Sequence, residues 1–203
     1  GATSVLPVLT AAGFRDIELF APHATPDGDF PNVPGHVANP ENPQVFDALI
    51  ERAEQTGADL ILASDPDADR IGMAARLTRG GAWRTLNGNQ IGVLLADYLL
   101  QRRQEAGRLT SDDFVVTTIV STDMLRRIAD GYGVRTADDL YTGFKWIGEK
   151  IDELGPEHYV FGFEEAHGYL AGDYIRDKDG AVAALLLAEL AALCASEGRT
   201  LHE

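Results

Sequence analysis

Leu60-Ile61-Leu62-Ala63-Ser64-Asp65-Pro66-Asp67-Ala68-Asp69-Arg70, running on into Ile71–Leu77, decides how the chain is read. Leu60 to Ala63 form a short apolar run, the pattern of a buried parallel strand. Ile71–Leu77 reads as another strand. The loop between them carries carboxylates at i, i+2 and i+4: Asp65, Asp67 and Asp69. On a helix this spacing spreads them over different faces, whereas an irregular loop at a strand end can bring all three to one point. Converging carboxylates repel, and a cation resolves the repulsion; hard oxygen ligands suit Mg²⁺ or Ca²⁺. An EF-hand loop needs Gly at its sixth position and Glu at its twelfth, and those positions here are Arg70 and Arg76. The competing reading is a solvated acidic turn with Arg70 as its ion-pair partner. The strand ahead of the loop and the Arg behind it favour the metal. Mg²⁺ often keeps a substrate phosphate in its shell, and Arg70 is a candidate to hold that same phosphate.

Upstream, Val5, Leu6, Val8 and Leu9 make a helix-like stripe stopped by Gly13, and Ile17–Phe20 is a short strand candidate. Ala21–Pro43 holds six of the nine prolines. It is too long for an ordinary connection, so it is either a functional loop or a mobile one. Asn42 before Pro43 reads as an N-cap followed by Pro in the first helical turn. Phe46, Leu49, Ile50 and Ala53 give that helix a buried face, and Gly57 ends it. Downstream, Gly80-Gly81 is a turn, and Ile91, Leu94, Leu95, Tyr98 and Leu99 mark an amphipathic helix. Phe114–Val120 is β-rich, and a helix follows on Leu125, Ile128 and Ala129. Another lies on Phe144, Ile147, Ile151 and Leu154; Tyr159–Phe163 is a strand and Ala181–Ala195 an apolar helix. Strands alternate with helices twice over, which predicts α/β units with largely parallel sheets and a seam near residues 79–88.

Composition narrows the function. With 17 basic and 32 acidic side chains in 203 residues, the formal charge is −15. That argues against a binder of nucleic-acid backbones or anionic membranes, while a local basic pocket still admits small anions. The single cysteine, Cys194, excludes an intrachain disulfide and fits a reducing cytosol; on an apolar helix it reads as core. The longest apolar run, Ala181–Ala188, is far short of the ~20 residues that span a bilayer. No signal peptide is evident, so a cytoplasmic location is expected. The chain opens Gly1-Ala2-Thr3 without Met and runs straight into an apolar pattern, as an interior slice of something longer would.

Ser64–Arg70 resembles the metal loop of the α-D-phosphohexomutases, the phosphoglucomutase/phosphomannomutase superfamily. Further motifs follow in that family's order. Asn87-Gly88-Asn89-Gln90-Ile91-Gly92 with Leu94-Leu95-Ala96-Asp97-Tyr98 resembles the opening of its third domain. Tyr141-Thr142-Gly143-Phe144-Lys145-Trp146 is similar to its Thr-Gly-aromatic-Lys loop. Phe163-Glu164-Glu165-Ala166-His167-Gly168 resembles its sugar-binding loop, and Asp177-Lys178-Asp179-Gly180 its Lys-bearing turn. The resemblance implies two α/β/α sandwich-type domains with mixed, largely parallel sheets. The first, incomplete, would span 1–82 with the metal loop, and the second 83–203 with the sugar loops.

It also implies roles. Mg²⁺ would sit on Asp65, Asp67 and Asp69, with Arg70 and Lys178 serving the reacting phosphate. Thr142, Gly143 and Lys145 would help choose which end of the sugar faces it. Glu164 would accept hydrogen bonds from two adjacent sugar hydroxyls. The family commonly has Ser where this chain has Ala166, so one hydroxyl contact is lost, and Glu165 and His167 are the candidates to replace it. Plainer readings remain beside these: an exposed acidic pair for Glu164-Glu165, an N-cap for Thr142, and surface lysines for Lys145 and Lys178.

The implied reaction moves a phosphoryl group between the 1 and 6 positions of a hexose phosphate through an enzyme phosphoserine and a bisphosphorylated sugar. No Ser-His-Asn-Pro loop occurs in the chain, and the fourth domain's Arg/Ser-rich phosphate loop is missing too. The 203 residues are therefore expected to be inactive alone, with the first and fourth domains as partners. A phosphopentomutase of the same superfamily, suggested by Ala166, and a non-catalytic, metal-dependent sugar-phosphate-binding module are the alternatives.

Overall fold

The computed structural model describes all 203 residues. Helix α1 (Val5–Ala11) and a short α2 (Ala21–Ala24) lead to α3 (Asp47–Thr56). A three-stranded sheet follows: β1 (Leu60–Ser64), β2 (Ile71–Arg76) and β3 (Trp83–Leu86), in that order. Both of its strand pairs are antiparallel. The largely parallel arrangement expected of this half is therefore wrong for the first sheet. Only Asp65 to Arg70 join β1 to β2, and only Leu77 to Ala82 join β2 to β3. A parallel crossover needs on the order of a dozen residues, so such short links force hairpins. The apolar run at Leu60 signals burial and carries no direction, and as an edge strand β1 fully buries only Ile61.

Ile17–Phe20, expected as a strand, has no regular structure. No backbone ladder reaches it, and an extended segment without a partner is not a strand. The proline-rich stretch is instead a series of tight turns. Asn42 does cap the helical turn Pro43–Phe46, accepting from the Gln44 N–H at 3.1 Å, and Gly57 closes α3 in the left-handed conformation at φ 73°. Val33, Val45, Phe46 and Ala53 pack with Ile61, Ala74 and Trp83 to cover one face of the first sheet.

The second sheet has the order β5-β4-β6-β7. It consists of β4 (Phe114–Thr118), β5 (Arg135–Leu140), β6 (Tyr159–Glu164) and β7 (Gly168–Ala171). Here β4 runs parallel to β5 and β6, through α5 (Met124–Tyr132) and α6 (Phe144–Leu154), while β7 returns antiparallel. Alternation sorts the faces. Phe114, Val116 and Leu170 meet Phe144, Ile147 and Ile151 of α6 on one side. Val115, Phe161, Phe163 and Tyr169 face α4 (Gly88–Glu105) and α7 (Gly180–Ser196) on the other. A capping box starts α4: Asn87 accepts from the Gln90 N–H, and the Gln90 side chain accepts from the Asn87 N–H, each at 2.9 Å. Helix α7 also packs on α1, β1 and β2, so one core of 27 buried residues runs through both sheets. No helix is long and apolar enough to cross a membrane.

Candidate functional site

The Asp loop is the turn of the β1–β2 hairpin. Ala68, at φ 59°, takes the left-handed corner, and its N–H donates to the Asp65 carbonyl at 3.1 Å. One carboxylate oxygen from each of Asp65, Asp67 and Asp69 lies within 4.8 Å of the others, so the loop is a candidate metal-binding cluster. Asp65 is 3% exposed and accepts from the Arg70 N–H at 3.1 Å and from Arg70 Nε at 2.7 Å. Asp69 accepts from Lys178 Nζ at 2.7 Å, across 109 residues. Burial raises the Asp65 pKa. It also opposes ionisation of Asp69, but the Lys178 hydrogen bond and charge bring that carboxyl below its ordinary value. Burial works against a charged Lys178 too, and Asp69 wins, holding the ammonium above its ordinary pKa. The three oxygen donors are of the hard type that fits Mg²⁺, and the two flanking cations offset their repulsion.

The second half is stitched directly to this hairpin. Arg70 bridges to Gly168, Ile71 N–H donates to the His167 carbonyl at 3.2 Å, and Gly180 N–H donates to the Ala68 carbonyl at 3.1 Å. Asp179 caps α7, accepting from the Ala181 N–H at 2.7 Å. Gly168 is where the pieces converge. A Cβ there would lie 2.4 Å from Lys178 Cδ and 3.5 Å from Glu164 Oε2, so the absence of a side chain lets the lysine stem pass from its turn to Asp69.

Glu164 ends β6, 8% exposed, and accepts from the Gly143 N–H at 2.7 Å. Burial raises its pKa, with the Gly143 bond and the Lys178 charge opposing. Gly143, not Thr142, is the residue at the start of α6, at φ 115°, and no side chain caps that helix. Thr142 and Lys145 are exposed; Lys145 Nζ stands 4.9 Å from the centre of the Trp146 ring, which packs against Tyr141. Glu165 turns away from Gly143, accepting from the Thr118 and Ser121 hydroxyls at 3.3 Å each. His167, 4% exposed and at φ 66°, directs Nδ1 to the Ile71 carbonyl at 3.2 Å. Burial lowers its pKa, so the ring is neutral at neutral pH. It lines a cavity of about 200 Å³ with Pro40, Glu41, Asn87 and Gln90.

Asp65, Asp69, Arg70, Lys178 and Glu164 are thus gathered around Gly168. Lys145 makes no bond to any of them, and His167 faces the hairpin. Sequence reasoning passed over Asn39 and Glu41, both bonded to Arg70 Nη1, and Thr118 and Ser121, which hold Glu165. The Asn-Pro-Glu-Asn-Pro run at 39–43 was the visible sign of a built turn.

Residues 1–79 match the family model for phosphoglucomutase/phosphomannomutase alpha/beta/alpha domain II, and residues 87–203 match that for domain III. A phosphoglucomutase of Staphylococcus epidermidis is 37% identical over 197 residues, covering 97% of this chain and 35% of its own length. A Schizosaccharomyces pombe protein named probable phosphoribomutase is 39% identical over 158 residues, covering 77% of this chain and 26% of its own. The chain thus spans about a third of the length of such curated relatives. In fold it is similar to a phosphoglucomutase/phosphomannomutase family protein of Burkholderia thailandensis, with TM-score 0.69, 22% identity, and 91% and 37% of the two chains covered. Two consecutive domain matches around one hairpin-centred site establish that the chain belongs to the phosphoglucomutase/phosphomannomutase family.

Proposed function

We propose that these residues form the metal-binding and sugar-recognising part of a cytoplasmic phosphohexomutase, an intramolecular phosphotransferase acting on hexose 1- and 6-phosphates. The observation that carries this reading is the convergence at Gly168, where the Lys178–Asp69 pair and Glu164 share one space. Asp65, Asp67 and Asp69 would hold Mg²⁺, which supplies positive charge against the charge of a transferring phosphoryl group. Lys178 and the open edge of Arg70 add fixed positive charge beside it, the main protein contribution to such a reaction. The Glu164 carboxylate has two oxygens for two adjacent hydroxyl donors and is held in orientation by Gly143. We assign the metal loop to a first unit of residues 1–82 and the sugar loops to a second of 83–203, with the phosphoserine supplied from outside these residues. Ala166 and the phosphoribomutase relative keep a phosphopentose substrate as a second reading.

Two measurements test this. The full-length protein should interconvert glucose 1- and 6-phosphate given Mg²⁺ and a bisphosphate primer, and the 203 residues alone should not; ribose 1-phosphate decides the second reading. In calorimetry on this chain, Asp67→Asn should weaken Mg²⁺ binding by about tenfold, or ~1.4 kcal/mol. Unchanged affinity in that variant would remove the metal assignment.

A further inference from the structure

The turn Asn39-Pro40-Glu41-Asn42 lies outside every motif that carries the family resemblance. It closes with the Asn42 N–H donating to the Asn39 carbonyl at 3.0 Å, and Pro40 fixes φ at its first corner. Asn39 Oδ1 accepts from the Glu41 N–H at 3.0 Å, and Asn42 goes on to cap the next helical turn. The turn presses on the Asp hairpin at Gly72, where a Cβ would stand 2.8 Å from the Pro40 carbonyl oxygen. The turn therefore sets the Glu41 backbone beside the hairpin, and the bond from Arg70 fixes its half-exposed carboxylate.

What it is aimed at is Arg70. Glu41 Oε1 accepts from Arg70 Nη1 at 2.8 Å, and Asn39 Oδ1 accepts from the same nitrogen at 3.4 Å. With Nε donated to Asp65, two of the three guanidinium nitrogens are held, and Nη2 is the one without a hydrogen-bond partner in the protein. The Arg70 side chain is 27% exposed, so that nitrogen is within reach of a ligand. A long, flexible cation thereby becomes a fixed donor, the condition under which a donor contributes most to a charged transition state.

We propose that Glu41, with Asn39, is a positioning residue that locks the Arg70 guanidinium with Nη2 turned to the substrate phosphate. The proposal rests on the mutase reading above. The test is a cycle of Glu41→Ala, Glu41→Gln, Arg70→Ala and the double variant in the full-length mutase, with kcat, KM and thermal stability measured for each. Arg70→Ala should lower kcat by about 10²-fold, the order seen on removing one fixed donor. Glu41→Ala should lower it by about tenfold, since the donor is loosened and not lost, with KM for the sugar phosphate nearly unchanged. In the Arg70→Ala background Glu41→Ala should cost nothing further. Glu41→Gln, which keeps the acceptor, should recover most of the loss and shows whether a folding defect is responsible. Full activity in Glu41→Ala, or a loss that persists undiminished in the Arg70→Ala background, overturns the proposal. An inactive wild type instead overturns the mutase reading beneath it.

Discussion

The Asp65–Arg70 loop is tied by groups distant in the chain: Lys178 on Asp69, Glu41 and Asn39 on Arg70, and the Gly180 N–H on the Ala68 carbonyl. Tyr141–Lys145 reaches the same neighbourhood through one hydrogen bond, from the Gly143 N–H to Glu164. The difference separates two ways of building a site. The first loop has its geometry set by folding. The second anchors itself through buried Phe144 and keeps Tyr141, Thr142 and Lys145 exposed to water. On the proposed reading, the first loop would meet a transferring phosphate, which needs fixed charge, and the second a sugar presented in two orientations.

The comparison can be broken most severely from beneath. Phe163 is fully buried, with its ring centre 6.1 Å from Phe161 and 6.5 Å from Tyr169, and it directly precedes Glu164. Phe163→Ala should cost about 3–5 kcal/mol in urea unfolding and should loosen both loops together. A much smaller cost would mean that the shared core does not hold the site.

A subtler probe uses pH. Burial raises the Glu164 pKa above its ordinary 4.5. The folded state thus keeps a proton that the unfolded state has already lost, and Glu164's contribution to stability falls as pH rises through the window just above 4.5, with Asp65 adding to that fall and the lowered pKa of His167 opposing it. Glu164→Gln keeps an acceptor for Gly143 and should flatten the stability profile in that window. Asp69 has the opposite sign: its lowered pKa gives stability above the ordinary 3.8 that is lost on further acidification, and the variant should leave this limb intact. An unchanged profile above 4.5 would show that Glu164 is not buried as a carboxylate. The smallest effect belongs to Thr142→Ala. A capping threonine would cost about 1 kcal/mol, but Gly143 starts α6, so the melting should reveal a change within about 0.5 kcal/mol.

Much of this was legible in order along the chain. The i, i+2, i+4 carboxylates marked the loop, apolar spacing marked most of the helices, and the β-rich runs Phe114–Val120 and Tyr159–Phe163 marked two strands of the second sheet, while β5 and β7 were not read. Strand direction in the first sheet was misread as parallel from Leu60–Ala63, because burial and direction are independent; the short Asp65–Arg70 link held that information instead. Glu41 was missed because it meets Arg70 across 29 residues, a distance no local pattern spans. His167, expected on the sugar side from its place in a motif, directs Nδ1 to the Ile71 carbonyl at 3.2 Å while lining a cavity, a contact no local pattern announces.

Helix α7 begins at the Ala68 carbonyl and then lies against α1, β1 and β2, although the chain reaches it only after the second sheet is complete. It works as a bolt driven through two plates. A hinge between the Asp65–Arg70 loop and the Glu164–Gly168 turn would have to extract Leu186, Leu187 and Ala188 from a core that both sheets share. The hairpin and the Glu164–Gly168 turn therefore travel as one rigid jaw, and the chain should melt in a single transition reported alike by tryptophan fluorescence from Trp83 in the first sheet and Trp146 beside the second.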